Sequence, residues 1–189
     1  MLAKPGKNTP VSTRLKENIQ YFEQQLGIGT SFDVIIREFK VGHKNAAFIF
    51  IDGFADANII TLIMKTLLSA AHEDIVPNTL NKVKVHFLPY GEISLVDNLE
   101  EAVEELLAGP LLFFIEGEKK SIILDSRTYP ARGPEEPDIE KITRGSQDGF
   151  VETLLFHVTL IRRRVRDPRL RTEIFKIGRR SLTEVCMLY

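Results

Sequence analysis

Tryptophan is absent from the 189 residues, and cysteine occurs once, at Cys186. A single cysteine excludes an internal disulfide and a thiolate metal site, and fits a reducing compartment. It lies in an apolar run and is expected as a small core residue. Long hydrophobic runs are missing too. AAFIFI and PLLFFI fall well short of the roughly 18 apolar residues that a membrane helix needs, and MLAKPGKNTP has no apolar signal core. As written, the chain reads as soluble. The signatures GxxxxGK[ST], GxGxxG, HExxH, CxxC and GxSxG do not occur. His43, His72, His86 and His157 are scattered, and no pair has ligand spacing along the chain. No metal, cofactor or hydrolytic centre is therefore expected.

What is present is the composition of a globular protein: 43% hydrophobic and 27% charged residues. A chain of this length can bury a sizeable core. The net charge of −1 hides an asymmetry. Residues 1–126 carry 12 Lys and Arg against 17 Asp and Glu, while residues 127–180 carry 13 against 8. The two segments are expected to attract each other or, for the basic one, an acidic partner.

Residues 1–11 read as a disordered polar lead. Leu15, Ile19, Phe22 and Leu26 recur at spacings of three and four, which predicts a helix capped by Ser12 or Thr13 and ended by Gly27. FDVIIREFKV and AAFIFIDG predict two strands joined by GHKN, the second buried on both faces. Asp56 is the expected N-cap of a helix lined by Ile59, Ile60, Ile63, Leu67 and Leu68. VKVHFLP reads as a strand and ISLV as a short extended piece. Asp97, with Glu100 three residues on, is expected to cap the next helix, whose Glu-rich face at 100–105 reads as solvated. PLLFFIEG and KKSIILDS form a second hairpin. Residues 12–126 thus read α-β-β-α-β-α-β-β, an α/β subdomain with a mixed β-sheet flanked by helices.

Residues 127–147 are rich in Pro, Arg and Glu and read as a linker, long enough to be functional or docked. A second α/β subdomain begins at 148. Its helix opens at Asp148 and ends near Asp167-Pro168, RLRTEIFKIG and LTEVCMLY are strands, and the unit stops incomplete at Tyr189.

Two places carry candidate interaction chemistry. Asp52, Gly53 and Asp56 lie between a central strand and a helix, where α/β folds hold ligands, although an acidic residue there is also an ordinary helix cap. The second is the charged set Arg127, Arg132, Glu135, Glu136, Asp138, Glu140, Arg144, Arg162, Arg163, Arg164 and Arg166. Successive arginines on a helix point about 100° apart, so they cannot form one phosphate clamp. Pairing between the helix arginines and the linker carboxylates is the favoured reading, within or between subunits. Membrane phospholipid is the next reading. Nucleic acid is not expected, since exposed aromatics are not interleaved with the arginines.

LDSRTYP, RGPEEP, DGFVETL and RRRVRDPRLR, with SFDVIIRE, FIDGF and LLAGPLLFFIEGE before them, resemble the N-terminal cytosolic region of the A-subunit family of spore germinant receptors. The resemblance covers about residues 30–189. This chain departs from the family pattern at Gln147, His157, Leu182 and Glu184. The resemblance implies two α/β subdomains joined by this linker, followed by membrane helices absent from this chain. It also implies the spore inner membrane with this region on the cytosolic side, homo-oligomers, other germination-protein subunits as partners, and an ion-conducting assembly. The expected role is assembly and signal transmission. A nutrient-sensing pocket at Asp52–Asp56 is the alternative.

Overall fold

The computed structural model describes residues 8–88, 92–127 and 153–189. Helix α1 (Leu15–Leu26) buries Leu15, Ile19, Phe22 and Leu26, the stripe its spacing predicts. Gly27 closes it at φ 63°. Its first N–H is satisfied from a distance: Leu15 N donates to Glu116 Oε2 at 2.9 Å. The expected Ser12 or Thr13 cap is not used. Ser12 Oγ instead accepts from Arg14 N at 3.1 Å.

Strands β1 (Val34–Val41) and β2 (Lys44–Ile51) form the first hairpin. Helix α2 (Ala57–Leu68) follows, with Asp56 capping it as expected by accepting from Asn58 N at 2.7 Å. Then come the short helices α3 (His72–Ile75) and α4 (Thr79–Lys82), and a π-helical turn at Val83–Phe87. That turn replaces the strand expected at VKVHFLP. Val83, Val85 and Phe87 alternate in sequence, but only Val83 is buried and Val85 is 62% exposed. Helical spacing suits this burial, because it puts Val83 and Phe87, four apart, on one face.

β3 (Ile93–Val96), α5 (Leu99–Ala108), β4 (Leu111–Ile115) and β5 (Ser121–Leu124) complete the first unit. The cap of α5 is one residue later than expected: Asn98 accepts from Glu101 N at 3.0 Å. Asp97 pairs with Lys120 at 3.8 Å instead. The sheet order is β1-β2-β4-β5-β3. Helices flank a sheet, as expected, but each of its ladders is antiparallel rather than mixed in direction.

Alternation along β2 and β4 divides the core in two. Ala47, Ile49, Leu112 and Phe114 pack against α1 and α5. Ala46, Phe48, Leu111 and Phe113 pack against α2, α3 and the π-helical turn. These strands are buried on both faces, and each large side chain contributes about 1.5–3 kcal/mol.

The second unit contains α6 (Leu154–Arg164) and a separate antiparallel pair, β6 (Thr172–Ile177) and β7 (Thr183–Leu188). The helix start expected at Asp148 lies outside the described residues. Cys186 is half-buried on this hairpin, not a core residue, because a two-stranded sheet has too little covering it.

The lead is docked where it is described, from residue 8. Val11 is buried. Thr9 gives both its N–H (3.0 Å) and its Oγ1 (2.6 Å) to Glu100, and Leu99 N donates to Thr9 O at 2.9 Å. Glu100 therefore departs from the solvated face expected for 100–105. Burial pushes its carboxyl up, but hydrogen bonds from Thr9 and Tyr21 outweigh this and leave it below its ordinary value of 4.5. A carboxyl lowered in the folded state stabilises above the unfolded value, and that contribution is lost as pH falls through the folded one. Urea unfolding from pH 7 down to pH 3 is therefore expected to show a steeper loss of stability below about pH 4.5 in the parent chain than in Glu100→Gln. Parallel curves would show that Glu100 does not hold the strap.

Candidate functional site at the joint of the two units

The apolar and small residues of α6 place one arginine inside the protein. Val158, Thr159 and Arg162 form its buried stripe, and Arg162 is fully buried. Its partner is Asp33, 1% exposed, just ahead of β1. The guanidinium meets the carboxylate through two bonds: Nε donates to Oδ2, and Nη2 donates to Oδ1 at 3.0 Å. Nη2 also reaches Leu170 O at 3.4 Å. Thr172 Oγ1, buried at the start of β6, donates to Asp33 Oδ1 at 2.5 Å.

Main-chain bonds lock the same point. Phe32 N donates to Thr172 O at 3.0 Å, and Asp52 N donates to Asp33 O at 2.7 Å. One aspartate thus ties α6, β6 and the end of β2 together. A buried pair of this kind roughly breaks even against apolar packing, but removing one partner strands a charge and costs about 3–5 kcal/mol.

Two glycines make the joint close enough. A Cβ on Gly53 (φ 83°) would lie 2.2 Å from Thr159 Oγ1 of α6. A Cβ on Gly27 (φ 63°) would lie 2.2 Å from Arg171 Nε. Arg171 crosses the C-terminal end of α1, where Nη2 reaches Gln25 O at 3.4 Å and Nη1 holds Pro168 O at 2.8 Å. A cation is favoured at that end of a helix dipole.

Of the turn residues, Asp52 accepts from its neighbour Gly53 N at 3.0 Å. Asp56 caps α2, and its N–H donates to Ser126 O at 2.9 Å. Beside it, Ala55 bridges to Arg127, whose guanidinium grips Asp125. That bond holds the Asp125 carboxyl below its ordinary range. Among the described residues, the Ser31 and Ser126 hydroxyls are buried without a hydrogen-bond partner. A groove of about 420 Å³ lies elsewhere, along α1, lined by Lys16, Gln20, Glu23, Glu38, Asn45 and Glu116 among others. Asp52, Gly53 and Asp56 are not part of its lining.

Arg132, Glu135, Glu136, Asp138, Glu140 and Arg144 lie outside the described residues, and so do the linker pairings expected of them. Arg163, Arg164 and Arg166 are exposed around the end of α6, and Arg166 Nε bonds Arg163 O at 3.4 Å. Sequence reasoning named Arg162 but missed Asp33 and Thr172, and named Gly27 only as the end of α1. The available signal was spacing: Arg162 follows Val158 by four positions, on the apolar side of its helix.

The sequence profile described as Bacillus/Clostridium GerA spore germination protein matches residues 20–189. Stage V sporulation protein AF of Bacillus subtilis (strain 168) is 35% identical over 92% of this chain and 35% of its own length. Spore germination protein KA of the same strain is 29% identical over 95% of this chain and 33% of its own. The chain thus spans about a third of these relatives. The fold is similar to the crystal structure of the N-terminal domain of the A subunit of the Bacillus megaterium spore germinant receptor GerK3. The TM-score is 0.76 at 23% identity, over 97% of this chain and 67% of that one.

Urea unfolding separates the buried arginine from its exposed neighbours. Arg162→Ala and Asp33→Ala are each expected to lose about 3–5 kcal/mol. Arg163→Ala is expected to lose less than about 1 kcal/mol. The double variant Asp33→Ala/Arg162→Ala should lose less than the two single variants summed, since no charge is left buried alone. Additive losses would show that the pair is not coupled.

Proposed function

Because the chain belongs to the Bacillus/Clostridium GerA spore germination protein family, we propose that it is the N-terminal cytosolic portion of a membrane germinant-receptor subunit. It acts there in assembly and signal transmission during endospore germination. The observation that carries this reading is the buried Asp33–Arg162–Thr172 joint. A unit that relays a change between a membrane part and its neighbours needs two bodies held in fixed register. A charged, directional contact sets register more strictly than apolar packing does.

Other features support the reading. The relatives are about three times as long as this chain, and one similar protein is named as an uncharacterized membrane protein. No helix among the described residues is long and apolar enough to cross a membrane; in this reading the membrane part of the subunit belongs to the two-thirds of the relatives' length that the match does not cover. The proposed partners are further copies of the subunit and other germination proteins, at the spore inner membrane on the core side. An ion-conducting role belongs to the whole assembly. The role is non-enzymatic, in line with the sporulation and germination roles in the relatives' names.

The nutrient-sensing alternative at Asp52–Asp56 has less support, because Asp52 and Asp56 already have internal partners. Titration calorimetry with amino acids and sugars separates the two: heat that disappears in Asp52→Ala would favour sensing.

The joint is tested in the organism that encodes the chain, and the charged linker in purified protein. Spores carrying Arg162→Ala are expected to germinate more slowly, by loss of optical density, than spores carrying Glu104→Ala. In purified protein, Arg163→Ala and Glu136→Ala are expected to weaken subunit or subdomain contacts, by sedimentation and thermal melting, more than Glu104→Ala. Equal germination rates at normal protein levels would remove the joint from signal transmission. Equal sedimentation and melting at all three positions would remove the linker network.

A further inference from the structure

Folding brings together two histidines that the sequence separates. His43 lies in the β1–β2 turn and His72 opens α3, and their ring centroids are 6.0 Å apart with planes tilted by 56°. The Gly42 carbonyl can only accept, so its 2.8 Å bond to His72 Nδ1 makes that nitrogen the N–H. The neutral ring then carries its lone pair on Nε2. A metal-ligating histidine characteristically donates its other N–H to a carbonyl or carboxylate, which fixes tautomer and orientation. His72 has that arrangement already.

The turn holds His43 in place. Gly42 and His43 are the two residues between the paired Val41 and Lys44, with φ of 49° and 72°. Gly42 lies so close to α3 that a Cβ there would meet Ile75 Cδ1 at 2.6 Å and Ala71 O at 2.9 Å. Turn and helix therefore keep their spacing. Both histidines are exposed. Lys44, next to His43 in the chain, is drawn off by Thr79 at 2.8 Å and Glu118 at 3.4 Å, and Lys82 is held by Val76 O at 2.8 Å.

We propose that His43 and His72 form a two-imidazole site for a divalent transition metal such as Ni²⁺, Cu²⁺ or Zn²⁺, with water completing the shell. Imidazole nitrogen suits these ions. With metal–nitrogen bonds of about 2.0–2.1 Å, two cis imidazoles on one ion have centroids about 4.5–5.2 Å apart, so the observed 6.0 Å has to close by about 1 Å, a movement within reach of the exposed His43 side chain. Among the described residues no group of three or more His, Cys, Asp and Glu is placed to hold a metal. The site is accordingly open and exchangeable, and it would clamp the turn to α3.

The test uses the untagged chain with nickel chloride. Thermal melting is expected to show a rise in Tm with nickel, reversed by EDTA, because an ion that binds only the folded state stabilises it. The rise is lost in His43→Asn, where asparagine tolerates the left-handed turn and keeps the fold. It is lost in His72→Ala and kept in His86→Ala. With Cu²⁺, electron paramagnetic resonance is expected to show coupling to two imidazole nitrogens in the parent chain and to one in His43→Asn. Absence of a nickel response, or the same response in His43→Asn and His86→Ala, overturns the proposal.

Discussion

The carboxylate of Asp33 is the constraint on which the arrangement of the two units depends. A charge removed from water must find directional partners, and here they come from residues 129 and 139 positions away, Arg162 and Thr172. Neither unit satisfies it alone. The first supplies the carboxylate and the glycines that permit close approach, and the second supplies the guanidinium and the hydroxyl. The contact therefore ties α6 and β6 to the start of β1.

The start of β1 is positioned by the sheet. β2 and β4 are sealed on both faces by helices, so the β1–β2 hairpin has one available register. The 2.7 Å bond from Asp52 N to Asp33 O extends the pairing of Val34 with Ile51 one step beyond the ladder. Asp33 thus inherits its position from the most buried part of the protein. Gly53, next to Asp52, then brings Thr159 of α6 within contact. The turn marked in the sequence as a ligand-binding candidate holds the backbone of this joint.

Much of the first unit was legible because its signals are local. Alternating and doubly apolar runs gave both hairpins, and helical spacing gave α1, α2 and α5. Residues 83–87 were not legible in this way: Val83, Val85 and Phe87 satisfy a strand pattern, and only the tertiary environment decides that one of the two valines is left in water. The α5 cap slipped by one position because Asp97 and Asn98 are both competent caps and Lys120 takes the first. The site was the least legible part. Asp33 looks like any polar position in the alternation of FDVIIREFKV, and its partner sits among arginines of identical chemistry. The family resemblance found the right segment of the chain, but only folding singles out Arg162 within it.

The hairpin β6–β7 shows what the joint contributes. A two-stranded sheet is marginal by itself, and this one buries little: Phe175, Ile177 and Met187 are 42%, 56% and 47% exposed. Its anchored end is the end nearest Asp33. There Thr172 is buried, and Arg171 exchanges main-chain bonds with Tyr189 at 2.8 and 3.2 Å. Arg171 also reaches the end of α1. Anchorage therefore falls off from Thr172 towards the turn at Gly178. Among the described residues the strand pair is held chiefly from one end by polar contacts, with α6 as the helix that meets β7. A change in the position of Asp33 would be carried to β6 directly, without rearranging a packed core.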